Sequence, residues 1–301
     1  MVLRVGTDCS GLETPIQALK RLKIPIKHAW SSDIEPNCIK NIKANFKPQL
    51  LFGDPNGPLK SGDITKRDNS KLPDIDLYVC GFPCQPFSNM GEHRGLKDTR
   101  GSVFFSCLDV IKKKKPKMFV LENVKGLLSN DKGKTWEVVW GEIKKLEKHG
   151  YKVDWKVLNT KDYGIPQSRG RVYIVGIKNK PVKWPQKCAM KDIKSFVDYS
   201  DKTKCETSKI RLDYVKKMKN NTFVSVEYSQ FGVKQNPKYS CCLLKGSRIW
   251  CVPMHRWANC KEIASLQGIN IKNVVSTSEF KGQIGNSMSV NVLEKLFQCN
   301  L

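Results

Sequence analysis

Short apolar runs alternate with amphipathic stretches through the first 177 residues, and most of the runs end in a small polar cluster. Residues 3–7, 28–32, 75–80 and 118–121 read as strands. Residues 15–22, 36–45, 103–112 and 136–149 carry helical periodicity between or after them. Residues 152–158 and 171–177 read as a closing pair of strands. Strand–helix alternation at this spacing predicts an α/β fold, a mostly parallel sheet with helices on both faces. In such a sheet ligands sit at the carboxyl ends of the strands, where the polar clusters fall.

The alternation stops near residue 178. From 178 to 253 Lys, Pro, Trp and Ser dominate, and no amphipathic period lasts. Helical character returns at 258–267 and again at 287–298. The expected organisation is a main domain over 1–177, a smaller one over 178–253, and a segment over 254–301 that returns to the first. The basic excess extends into the middle stretch, where residues 178–219 hold 13 Lys/Arg against 5 Asp/Glu. The whole chain carries a formal +25. Many of these lysines are simply solvated, but a surplus of this size favours a polyanionic partner, DNA or RNA before a membrane surface. The run Lys112–Lys115 reads as a solvated helix end or as a nuclear address. No apolar run is long enough to span a membrane, and the first residues enter a strand without a signal peptide, so an intracellular, monomeric protein is expected. The twelve cysteines form no CxxC pair and suit a reducing compartment, with no metal site expected.

Four clusters carry chemistry. In GFPCQPFS, Cys84 follows a buried-type strand and sits between Pro83 and Pro86, which restrict the backbone on either side. A cysteine held so at a strand end is placed to attack a ligand, although buried cysteines are more often plain core. Leu121–Glu122–Asn123–Val124 puts a carboxylate and an amide at the end of another strand, where a charge is costly unless paired or used. Arg169 and Arg171 have the period-2 spacing that places both on one side of an extended segment. Gln283–Ile284–Gly285–Asn286–Ser287 opens the final helix.

In this order PCQPFS, ENV, QxRxR and GNS resemble the motifs of the cytosine-C5 methyltransferases, and GDIT at 62–65 and DTRGSVFF at 98–105 agree. The likeness covers nearly all of the chain outside 178–253. It implies a Rossmann-like S-adenosylmethionine-dependent methyltransferase sheet with a small target-recognition domain. By that resemblance Cys84 is the nucleophile that adds to cytosine C6, and Glu122 bonds N3 and the exocyclic amine. Arg171 holds O2, Arg169 takes a phosphate or structural role, and Asn123 positions the Cys84 loop. The target carbon is inaccessible in stacked DNA, so base flipping is implied.

The resemblance also implies S-adenosyl-L-methionine as cofactor, with S-adenosyl-L-homocysteine as product. Cys9, Ser10, Gly11 and Leu12 would form its first turn. Asp33 would take the ribose hydroxyls and Ile34 the adenine face. Asp63 and Ile64 would read the adenine edge, Val103 would line the methionine side, and Asn286 and Ser287 would lie near the carboxylate. The first turn departs from the family's FxGxG: Cys9 replaces the aromatic and Glu13 a glycine. Glu13 is expected to repel the cofactor carboxylate unless it pairs with the methionine ammonium. Arg256 and Glu262 match a structural motif. Trp250 and Trp257 read as core before base stacking, Cys241–Cys242 as packing, and Tyr228 to Phe231 as part of a recognition face. The implied activity is methylation of double-stranded DNA, in restriction–modification, a viral genome or epigenetic marking. The alternatives are an RNA (tRNA) methyltransferase, whose CFT signature is absent here, and an inactive nucleic-acid binder.

Overall fold

The computed structural model describes residues 2–83, 103–203, 209–227, 235–274 and 277–301. Seven strands form the main sheet: β1 (Leu3–Asp8), β2 (Ile26–Ser32), β3 (Leu50–Phe52), β4 (Leu77–Gly81), β5 (Met118–Val124), β6 (Tyr151–Asn159) and β7 (Gly170–Lys178). Their order is β3-β2-β1-β4-β5-β7-β6. The first five run parallel, and β7 enters antiparallel between β5 and β6. The strand order reverses between β1 and β4, so their carboxyl ends flank the crevice where such sheets bind ligands.

The side-chain alternation of each strand feeds two cores. Leu77 and Val79 of β4, Met118 and Val120 of β5, and Tyr173 and Val175 of β7 point into one. Tyr78 and Cys80, Phe119 and Leu121, and Val172 and Ile174 point into the other. Burial on both faces explains why these strands read as unbroken apolar runs. Helices α1 (Thr14–Arg21), α2 (Pro36–Asn45) and α8 (Val290–Asn300) cover the first face, with Ile16, Leu19, Ile42, Leu293 and Phe297 buried there. Helices α3 (Val103–Lys114) and α4 (Lys134–Lys144) cover the second through Leu108, Ile111, Val139 and Ile143. Each such side chain contributes about 1.5–3 kcal/mol on burial.

Residues 178–253 contain more regular structure than their composition suggests. Helix α5 (Lys209–Lys217) and strands β8 (Phe223–Ser225) and β9 (Ile249–Cys251) form there, and β10 (Arg256–Trp257) completes a three-stranded antiparallel sheet. Tyr214, Val215, Met218, Val224, Val226 and Trp250 make a small core of their own. Phe223, Ile249 and Cys251 face the other way and join the first of the two main cores. This region escapes a periodicity search because its strands are three residues or fewer. Strand β3 was invisible for the same reason. Lys112–Lys114 close α3, with Lys113 paired to Asp109 at 2.9 Å.

The C-terminal segment corrects one expectation. GNS does not open the final helix: α7 (Thr277–Asn286) ends on Asn286, and α8 begins only at Val290. The physical reason is the carbonyls at this junction. Arg169 takes those of Gly285 and Ser287 at 3.0 and 2.7 Å, so the chain needs no helical partner for them. A Cβ at Gly285 would fall 2.2 Å from the Leu244 backbone, so only glycine fits there. Helix α6 (Cys260–Ser265) starts with a capping box between Asn259 and Glu262.

Arg256 and Glu262 act as scaffold. Both are 1% exposed and joined by two bonds of 2.8 and 2.9 Å. Arg256 also donates to the carbonyls of Asp198, Asp201 and Trp257, and Glu262 accepts from Asp198 N. Truncating one partner strands a buried charge. Arg256→Ala is expected to lower stability by ~3–5 kcal/mol, read from urea unfolding. A loss within 1 kcal/mol or so would show that the pair is not a strut.

Candidate active site

The first turn leaves β1 at Asp8. Cys9, Gly11 and Glu13 all adopt left-handed backbone, with φ of 48°, 53° and 51°. Gly11 donates its N–H to Asp33 Oδ2 at 2.8 Å, and Glu35 N bonds Asp33 Oδ1 at 2.9 Å. Burial pushes the Asp33 carboxyl up, and these two backbone bonds act against that rise. A Cβ on Gly11 would lie 3.6 Å from Ser287 Oγ, so the turn and the α7–α8 junction share one crevice. The Gly62 backbone passes so close to Asp33 that a Cβ would stand 1.7 Å from Asp33 O. That approach brings Asp63 to the same edge, where the Thr65 hydroxyl holds its carboxyl below the usual range. Thus the first turn, Asp33, Asp63 and Ser287 converge.

Ile34 is 72% exposed, the most exposed large apolar side chain among the described residues. Beside a buried carboxyl at a strand end, it offers an apolar face to a ring. Val103 is half-buried at the start of α3, and Asn286 is exposed at the end of α7. Leu12 and Ile64 are core residues, at 0% and 4% exposure, which leaves only their backbone for a ligand. The residues present therefore suit an adenosine-bearing group. Arg67, unremarked in the sequence, fixes this edge from below. Its guanidinium bonds both oxygens of Asp8 at 2.9 and 2.7 Å, while Tyr78 and Trp30 donate to the same carboxylate.

The second half of the site lies at the ends of β5 and β7. Cys84 lies outside the described residues, as do Tyr228 to Phe231. The chain leading to Cys84 is held: Asn123 Nδ2 bonds the Phe82 carbonyl at 2.8 Å and is 3% exposed. Glu122 pairs across the sheet with Gly81 and Tyr173, and its carboxyl reaches Arg171 Nε at 3.4 Å. Burial raises the Glu122 pKa, with Arg171 and then Arg169 opposing the rise. Arg169 is 2% exposed and bonds Leu243 O at 2.8 Å besides the Gly285 and Ser287 carbonyls. Its buried guanidinium holds backbone rather than facing a phosphate.

Cys242 does more than pack: it has a charged neighbourhood that sequence spacing does not suggest. Its sulfur accepts from Arg169 at 3.6 Å and from Arg171 at 3.5 Å. No spacing rule links positions 171 and 242, so only the fold reveals this. Trp250 is core at 2% exposure and meets Trp257 edge-on at 5.0 Å. Glu13 is 0% exposed and turned inward, against the expectation that it meets the cofactor's charges.

Sequence comparison places these features in a family. Residues 8–243 match the C-5 cytosine-specific DNA methylases, and the chain belongs to that family. It is similar to the Type II methyltransferase M.NgoBI of Neisseria gonorrhoeae, 36% identical over 249 residues, which are 77% of this chain and 76% of that protein. It is 40% identical over 173 residues to the Type II methyltransferase M.NlaIV of Neisseria lactamica, covering 55% of this chain but only 38% of the relative. The fold is shared with the Entamoeba histolytica methyltransferase EhMeth (TM-score 0.71, 19% identity, 99% and 97% of the two chains). It is also shared with Dnmt2 of S. pombe (TM-score 0.63, 21% identity, 99% and 98%). This is the Rossmann-like methyltransferase fold.

The raised Glu122 pKa has a consequence for stability. The folded protein keeps this proton to higher pH than the unfolded chain, so stability falls as pH rises through the raised value. Glu122→Gln removes that cost. Its melting temperature is expected to exceed the wild type's at about pH 8, with the gap closing towards the ordinary carboxyl value of ~4.3. A gap that is independent of pH would contradict the assignment.

Proposed function

We propose that the chain is a DNA cytosine-5 methyltransferase using S-adenosyl-L-methionine. The observation that carries this is the buried Glu122 carboxyl beside Arg171, next along β5 to the Asn123 clasp on Phe82. A carboxyl whose pKa is raised by burial is suited to share a proton with a ring nitrogen. Arg171, with its planar fork of N–H donors, suits a carbonyl oxygen such as O2. Arg169 is a positioning residue, and Asn123 fixes the start of the Cys84 loop.

The proposed reaction runs on an extrahelical cytosine. Cys84 thiolate forms a bond to C6, and the ring's electrons move to C5 while Glu122 stabilises charge at N3. When bound, S-adenosyl-L-methionine supplies the electrophilic methyl group. Loss of the C5 proton then expels the Cys84 sulfur and restores the aromatic ring. Asp33, Ile34, Asp63, Val103, Asn286, Ser287 and the backbone of residues 9–12 and 64 hold the cofactor. Residues 178–253 serve as target-recognition domain between a catalytic part at 1–177 and a returning segment at 254–301. The formal +25 supports duplex DNA as the partner through phosphate contacts. The monomer is the proposed working unit, and the named Type II relatives favour a role in restriction–modification. Among the described residues no helix is long and apolar enough to cross a membrane.

The test is methyl transfer from labelled S-adenosyl-L-methionine to unmethylated duplex DNA and to tRNA in parallel. Label recovered as 5-methylcytosine in DNA is the expected result. Label confined to tRNA would move the substrate to RNA, and none in either would overturn the activity. Cys84→Ser is expected to abolish transfer while leaving cofactor affinity within about twofold in calorimetry, as a contact outside that subsite should. Arg171→Ala is expected to lower kcat/KM roughly 10- to 150-fold, the equivalent of ~1.5–3 kcal/mol for a lost charged hydrogen bond. A wild-type rate in either variant would remove that residue from its role.

A further inference from the structure

Glu13 occupies a position that should be unfavourable for it. Its backbone is left-handed, at φ 51° and ψ 44°, where glycine is the comfortable residue. Its carboxylate is 0% exposed, and Oε2 has no partner among the described residues. What offsets these two costs is a set of bonds on Oε1. Thr7 Oγ1 of β1 donates at 2.7 Å and Ser31 Oγ of β2 at 2.5 Å. His28 Nε2 of β2 stands 3.5 Å away and meets Ser31 Oγ at 3.0 Å.

The network continues upward into the turn. Thr7 Oγ1 lies 2.9 Å from Ser10 Oγ, and Ser10 Oγ accepts from Ser32 N at 3.0 Å. Ser10 N donates to Ser32 O, and Glu13 N donates back to Ser10 O at 2.8 Å. Gly11, between these anchors, donates to Asp33. One buried carboxylate thus ties the ends of β1 and β2 to the loop between β1 and α1.

We propose that Glu13 is a positioning residue for the cofactor turn: its carboxylate fastens residues 9–12 to β1 and β2 from beneath. This rests on reading that turn as the S-adenosyl-L-methionine site. The FxGxG pattern that the chain resembles has a glycine at this place; here a side chain reaches down to β1 and β2 instead. Here the carboxylate substitutes bonding for conformational freedom, and it acts without touching the cofactor. The rigid turn then presents the Gly11 and Leu12 backbone in one conformation, which lowers the ordering cost of binding.

The test compares Glu13→Gly, Glu13→Gln and wild type. Glycine removes the carboxylate without straining the left-handed backbone. Glutamine keeps an acceptor at Oε1. In the unliganded proteins, amide hydrogen exchange at Gly11 and Leu12 is expected to quicken on the order of tenfold or more in Glu13→Gly and to stay near wild type in Glu13→Gln. Calorimetry with S-adenosyl-L-homocysteine is expected to give a Kd weakened on the order of tenfold in Glu13→Gly, with the glutamine variant within about threefold. KM for the cofactor should rise more than kcat falls. Unchanged exchange in Glu13→Gly overturns the anchor. Faster exchange with unchanged Kd reduces it to a purely structural contact and overturns the positioning role. If Glu13→Gly does not fold, Ser31→Ala, which removes one of the two donated bonds, is put to the same two measurements. A wild type that binds neither cofactor nor product instead overturns the cofactor reading, while the exchange result still decides the anchor.

Discussion

The Arg169 guanidinium is the contact on which the two halves of this molecule depend. It leaves the start of β7 and is 2% exposed, where burial lowers its pKa and the nearby Arg171 lowers it further. Three backbone carbonyls compensate: Leu243 from the end of the 178–253 region, and Gly285 and Ser287 from the α7–α8 junction. Segments more than 70 residues apart in sequence are thereby fixed around one charge. Because carbonyls rather than a carboxylate accept its hydrogen bonds, the arginine leaves Glu122 to meet Arg171. A lysine would not serve, since a single ammonium lacks the planar fork that reaches separate carbonyls.

A second buried charge organises the opposite side of the site. Asp8, 1% exposed at the end of β1, receives Arg67, Tyr78 and Trp30. Arg67 also lies 4.7 Å over the Phe52 ring, so the GDIT segment, β1, β3 and β4 are joined at a single point. Glu13 extends this pattern to the turn above. The three networks share a design: polar groups are withdrawn from water only where they gather ends of different strands. Such groups add less to stability than apolar packing does, but they select one geometry for the crevice.

Most of the fold was legible in the chain because the central strands are buried on both faces. Burial on both faces forces continuous apolar runs, and the helices between them must show one apolar side. Helix α2 fell at 36–45 as read, since Pro36 marks its start. The missed pieces have specific causes. Strand β3 and the β8–β10 sheet are too short for a period to emerge. The break between α7 and α8 is set by Arg169 and by the close packing of Gly285 on Leu244, neither of which is local.

The sequence by itself determined the α/β class, the strand-end placement of Glu122, Asn123 and Asp33, and the family, because local patterning and ordered motifs depend only on neighbours along the chain. Tertiary structure alone decided the direction of Glu13, which the fold turns inward onto Thr7 and Ser31. It also decided that Cys242 lies between two arginines, that Arg67 clasps Asp8, and that Arg169 holds carbonyls. These are pairings between residues 59 to 118 positions apart. Hydrogen-bond partners at such separations are chosen by which strand ends meet, and strand order is a property of the packed sheet rather than of any segment within it.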